Sequence, residues 1–137
     1  MSNIIKVLVD GVFDPLHDGH IEYLQNAAKY GNCLIVNIAS DEEIWIKRPS
    51  IGPLLPLNAR IKVISNLKPV DEVVIFETRQ ALTNIKPSVY IKGIDWQGRL
   101  PKIEQEICQE LNIQVIFLST MLNSSSLILE NFIKQLK

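Results

Sequence analysis

Gly11-Val12-Phe13-Asp14-Pro15-Leu16-His17-Asp18-Gly19-His20 decides how the rest of the chain is read. The stretch follows a short apolar run, residues 4–9, interrupted only by Lys6. It opens into Ile21-Glu22-Tyr23-Leu24-Gln25-Asn26-Ala27-Ala28, which has the composition of a helix. A β-strand that ends in a glycine turn and enters a helix forms an anion site. The first backbone N–H groups of the helix lack partners there, and the helix dipole favours negative charge. His17 and His20 stand at that mouth on roughly one side. Strand, glycine turn, two imidazoles and helix start together describe a phosphate-handling site.

The 137 residues make one domain, 1–137, large enough to bury a full core. Hydrophobic residues at 47% suit a compact fold and argue against disorder. Fourteen basic against 15 acidic residues leave a formal net charge of −1. That balance excludes the broad basic footprint of DNA or tRNA binding while permitting local phosphate-binding clusters. Cys33 and Cys108 lie in apolar surroundings without metal-ligand spacing and read as buried small hydrophobes of a reducing compartment. No apolar run reaches the length of a membrane span, and the apolar start lacks a small-residue cleavage site. The expectation is a cytoplasmic protein that engages neither membrane nor nucleic acid.

Beyond the opening motif the pattern alternates. Residues 4–9 are strand-like, and residues 20–30 are helical with Gly31 as the stop. Residues 33–39 form a nearly continuous apolar strand, suited to burial on both faces. Ser40-Asp41-Glu42-Glu43 reads as a capped helix start. Residues 47–56, with three prolines and one glycine, are the one long loop, and residues 57–67 have helical periodicity. Strands are expected at 73–76, 89–91 and 114–118, and helices at 79–86, 102–111 and 124–136. The prediction is an α/β domain with a Rossmann-like five-stranded parallel sheet, right-handed crossovers and helices on both faces. Ligands of such sheets bind beyond the carboxyl ends of the strands, where the candidate loops converge.

The Gly-x-Phe-Asp-x-x-His-x-Gly-His pattern resembles the signature of the cytidylyltransferase-like nucleotidyltransferases, which include heptose 1-phosphate adenylyltransferase and glycerol-3-phosphate cytidylyltransferase. The resemblance continues through Ser40-Asp41-Glu42, Pro56-Leu57 with Arg60, residues 70–74, Lys92-Gly93-Ile94-Asp95-Trp96 and Ser124-Ser125-Ser126. It implies transfer of a nucleotidyl group from ATP or CTP to a phosphorylated small-molecule acceptor, with release of pyrophosphate. It also implies a homodimer, and Mg²⁺ held mainly by the triphosphate. Within it, His17 and His20 steady the α-phosphate, and Lys47 in the proline-rich loop reaches the phosphates. Gly11, Val12, Phe13, Asp14, Gly19, Lys92, Gly93, Asp95, Trp96, Ser124, Ser125 and Ser126 surround the nucleotide, and Asp41, Arg48 and Arg60 face the acceptor.

Several of these residues carry a plainer reading beside the functional one. Asp14 braces its loop by accepting backbone N–H bonds or meets the nucleotide. Phe13 belongs to the core or stacks on the base. Asp41 faces the acceptor or a metal, or caps a helix. Lys47 and Arg48 are phosphate contacts or a solvated charge pair, and Arg60 contacts phosphate or rides a helix surface. Trp96 covers the base or the sheet edge. The serine run caps the last helix, which is itself an anion site. Two positions depart from the family: Gly52-Pro53 stands where the heptose branch has Gly-Arg-Pro, and Ser119-Thr120 where the cytidylyltransferase branch has Arg-Thr. Ile94 also replaces an acidic residue of that branch. Lys92-Gly93 favours a heptose 1-phosphate adenylyltransferase, and Asp95-Trp96-Gln97-Gly98 a glycerol-3-phosphate cytidylyltransferase. A catalytically silent nucleotide-binding module is the third reading. The His-x-Gly-His tetrad also resembles class I aminoacyl-tRNA synthetases, but the short chain has no Lys-Met-Ser-Lys-Ser loop.

Overall fold

A computed structural model describes residues 3–119 and 125–136. Strands β1 (Lys6–Gly11), β2 (Cys33–Ile38), β3 (Glu72–Val74), β4 (Val89–Gly93) and β5 (Gln114–Leu118) form one sheet. Helices α1 (Asp18–Ala28), α2 (Asp41–Lys47), α3 (Leu57–Ser65), α4 (Thr78–Ile85), α5 (Lys102–Glu110) and α6 (Ser125–Gln135) connect and flank them. Every strand pair is parallel, in the order β3-β2-β1-β4-β5. The chain adds β2 and β3 to one side of β1, then crosses to add β4 and β5 to the other. The sheet therefore reverses its growth between β1 and β4, and a crevice opens beyond their carboxyl ends.

Alternation along the central strand divides the core between the two faces. Val7 and Val9 pack with Leu24, Val36, Ile64 and Ile91 on one side. Leu8 packs with Ile35, Leu82, Tyr90 and Cys108 on the other. Both cysteines are free, and burial pushes the Cys108 thiol up to about 11, so it stays protonated and inert. Among the described residues no helix is long and apolar enough to cross a membrane.

Strand ends differ from the sequence reading in one consequential place. β1 runs two residues further than expected, with Asp10 paired beside Asn37 and Gly11 beside Ile38. The neighbouring strand continues there, so the ladder overrides the polar and glycine residues that read as its end. A carboxylate is thereby carried to the rim of the crevice. Lys47 ends α2 instead of lying in the loop: Ser40 Oγ accepts the Glu43 N–H at 3.2 Å at the helix start, and the Arg48 N–H donates to the Ile44 carbonyl at 2.8 Å and carries the helix to Lys47.

The loop after α2 is clamped. Buried Asp14 accepts the N–H groups of Leu54 at 2.7 Å and Leu55 at 3.0 Å, and pairs with Arg48 Nη2 at 2.6 Å. Arg48 Nη1 also donates to the Asp14 carbonyl at 3.1 Å. Gly52 has φ +69°, and a Cβ there would lie 2.5 Å from the Trp45 ring. That backbone conformation and the ring beside it favour glycine at this position.

Candidate active site at the β1–β4 crevice

Helix α1 begins in an unusual way, since its N-cap is a histidine. His17 Nδ1 accepts the Gly19 N–H at 3.0 Å, and His20 Nδ1 accepts the His17 N–H at 3.2 Å. This reciprocal arrangement has the form of a capping box, with imidazoles in place of hydroxyl and carboxylate. The two rings stack with centroids 3.8 Å apart, and the Phe13 ring meets His20 edge-on at 5.0 Å. Gly11 makes room for that ring: a Cβ on Gly11 would stand 2.8 Å from Phe13.

The cap fixes the protonation of both histidines. A ring nitrogen that accepts a backbone N–H carries no proton, so each neutral imidazole bears its hydrogen on Nε2. Burial pushes His20 down to about 4, and the nearby His17 pushes in the same direction. Burial also lowers His17, partly offset by Asp18. His17 Nε2 is buried and has no hydrogen-bond partner among the described residues. An orphaned N–H costs about 1–3 kcal/mol, and an incoming phosphate oxygen would relieve it.

These rings line a cavity of about 580 Å³ together with Gly11, Val12, Phe13, Lys92, Gly93, Asp95, Trp96 and Ser125. Lys92 Nζ lies 4.4 Å from the Trp96 ring centre and 3.3 Å from Asp10 Oδ1. Ser125 Oγ donates to the Pro15 carbonyl at 2.9 Å and ties the start of α6 to the histidine loop. A second lobe of about 230 Å³ adjoins the first and shares Asp10, Gly11, Lys92 and Trp96 with it. Its own walls include Glu43, Lys47, Thr78 and Glu104.

The structure thus gathers His17, His20, Gly11, Val12, Phe13, Lys92, Gly93, Asp95, Trp96 and Ser125 around one cavity and sets Lys47 on the adjoining lobe. It places other expected residues elsewhere. Asp14 is fully buried beneath the loop, a brace and not a wall of the cleft. Gly19 N–H is engaged by His17. Arg48 is held by Asp14. Arg60 is 1% exposed and donates to the carbonyls of Leu55, Val12 and Ala39 and to Asp41 Oδ1 at 2.8 Å. Asp41 Oδ2 accepts the Leu57 N–H at 3.3 Å, so Asp41 and Arg60 join two helices, with 39% of the Asp41 side chain still exposed. Ser124 lies outside the described residues. Ser126 belongs to α6. Sequence reading missed Asp10, Tyr90, Thr78 and Glu104, which bond to one another at the rim. The available signal was a carboxylate directly before the glycine turn of a strand otherwise buried.

Fold and cleft define a class: a parallel α/β protein with paired imidazoles in a cavity at its topological switch point. The sequence pattern of the cytidylyltransferase-like family matches residues 8–131, and the chain belongs to that family of nucleotidyltransferases. It is 40% identical over 96 residues to the bifunctional protein HldE of Wolinella succinogenes, covering 68% of this chain and 20% of that protein. It is 32% identical over 117 residues to FAD synthase of Archaeoglobus profundus, covering 82% and 74% respectively. The crystal structure of a lipopolysaccharide core biosynthesis protein from Thermoplasma volcanium superposes with a TM-score of 0.70 at 28% identity, over 86% of this chain and 98% of that one. The chain thus spans about a fifth of the length of the HldE proteins it matches.

Proposed function

We propose that this chain transfers a nucleotidyl group from ATP or CTP to a phosphorylated sugar or polyol and releases pyrophosphate. The observation that carries this reading is the pair of cap-locked imidazoles, with the buried Nε2 of His17 left without a partner among the described residues. An acceptor phosphate is already ionised at neutral pH, so no side chain need remove a proton. What the reaction needs is alignment and donors aimed at a phosphorus centre whose charge spreads over its equatorial oxygens. Two Nε2–H donors held in fixed rotamers supply that, at the positive end of α1. Lys92, at the junction of the two lobes, adds a cation where the α-phosphate and the acceptor phosphate would meet.

Among the described residues no three His, Cys, Asp or Glu side chains converge as a metal site. In this reading a magnesium ion would arrive on the triphosphate and supply charge neutralisation to its oxygens. The preferred reaction is of the heptose 1-phosphate adenylyltransferase type, supported by Lys92-Gly93 and by the HldE relatives. Glycerol-3-phosphate cytidylyltransferase activity is the second reading, supported by Asp95-Trp96-Gln97-Gly98. The homodimer implied by the resemblance belongs to the same proposal.

The test is pyrophosphate release from ATP and CTP against heptose 1-phosphate and glycerol 3-phosphate. One pairing is expected to turn over. His17→Asn, which keeps a capping oxygen and removes Nε2–H, is expected to slow it about 10²–10³-fold with the unfolding midpoint near wild type. Nucleotide binding without pyrophosphate from any pairing would make the chain a silent binding module. Undiminished turnover in the variant would remove the histidine mechanism.

A further inference from the structure

The smaller lobe raises a question that family membership leaves open, because the relatives include both HldE proteins and an FAD synthase. Its defining feature is Asp10. The carboxylate sits at the carboxyl end of the central strand with 13% of its side chain exposed, and it borders both lobes. Its Oδ2 is pinned by two hydroxyls, Tyr90 Oη at 2.8 Å and Thr78 Oγ1 at 3.0 Å. Among the described residues its Oδ1 has only Lys92 Nζ at 3.3 Å, longer than a settled charge-assisted bond of about 2.7–2.9 Å. One oxygen is therefore fixed by the fold and the other retains accepting capacity at the junction.

We infer that Asp10 is a specificity-determining residue, whose Oδ1 accepts a hydrogen bond from a hydroxyl of a small phosphorylated polyol or sugar in the 230 Å³ lobe. The inference rests on the nucleotidyl-transfer reading above and names what that reaction selects. Three observations support it. The lobe is smaller than the roughly 300–1,000 Å³ typical of drug-sized ligands, so it suits a short acceptor better than a three-ring flavin. Its walls carry Glu43, Thr78 and Glu104, polar groups that match the hydroxyls of such an acceptor, beside the apolar Phe76 and Trp96. Lys47 and Lys92 supply the positive charge that the acceptor's phosphate requires beside these carboxylates. A bare alkyl phosphate would leave the remaining accepting capacity of Oδ1 unused, and a site built to bond a hydroxyl rejects analogues that lack it.

The experiment compares pyrophosphate release with four acceptors: heptose 1-phosphate, glycerol 3-phosphate, propyl phosphate and flavin mononucleotide. Wild type is expected to favour a hydroxylated small phosphate over propyl phosphate by about tenfold or more in kcat/KM. Asp10→Asn is expected to collapse that ratio through the acceptor KM. Thr78→Val keeps the carboxylate but frees one of its anchors. It is expected to lower the ratio partially, and it serves where Asp10→Asn fails to fold. Preference for flavin mononucleotide, or equal use of propyl and glycerol phosphates, would overturn the inference and leave nucleotidyl transfer standing. Release from none of the four would bring down the transfer reading, and this one with it.

Discussion

At the scale of single residues, the two histidines do structural and chemical work with different nitrogens. Nδ1 of each closes the start of α1, and Nε2 of each is left as the donor. A proton on Nδ1 would break the cap, so the fold holds both rings neutral. His20 is pushed from its ordinary 6.5 down to about 4. Below pH 6.5 the unfolded chain takes up a proton that the native state keeps off, so stability rises with pH across this window. The contribution is complete above 6.5 and is lost as pH falls through about 4. Urea unfolding is therefore expected to show roughly 2–3 kcal/mol less stability at pH 4 than at pH 7 from this site. His20→Gln, which keeps an acceptor at the same helix position, is expected to flatten that part of the profile. Equal acid sensitivity in both proteins would show that His20 contributes none of it. The pairing of His17 with His20 was legible from spacing, but their tautomer was not, because it depends on where the backbone N–H groups of the helix point.

At the scale of elements, the loop after α2 shows how local sequence misleads about role. Arg48 and Arg60 are cations near a phosphate site in sequence, yet each is taken up by partners brought from far along the chain. Asp14 lies 34 positions from Arg48 and 40 from Leu54. No local pattern announces such a bond. The same holds for three of the four hydrogen bonds of buried Arg60, the fourth going to the Leu55 carbonyl five positions away. A buried carboxylate with three donors anchors the loop more firmly than its prolines and glycine suggest. Asp14→Ala strands Arg48 and two backbone N–H groups. It is expected to cost about 3 kcal/mol or more in urea unfolding and to expose residues 48–55 to proteolysis. A variant as stable and as protease-resistant as wild type would show that the clamp holds nothing.

At the scale of the whole molecule, the sheet order carries loops from β1 and β4, far apart in the chain, to one crevice. A ligand seated there bridges both halves of the sheet and binds only the folded state. Saturating nucleotide, at about a hundredfold its Kd, is then expected to raise stability by about 2.7 kcal/mol in a thermal melt. The absence of any shift with ATP or CTP would argue against a nucleotide site in this crevice. Periodicity and the glycine–histidine motif by themselves determined the alternating α/β order, the parallel sheet and the place of the two imidazoles, because these depend on neighbours a few residues apart. The tertiary structure alone decided which charged groups face the cleft. Long-range hydrogen bonds engage Asp14, Arg48 and Arg60 away from the cleft, and the fold leaves Asp10 and Lys92 lining it. A charge's fate is set by which partner the fold delivers to it, and sequence distance does not record that.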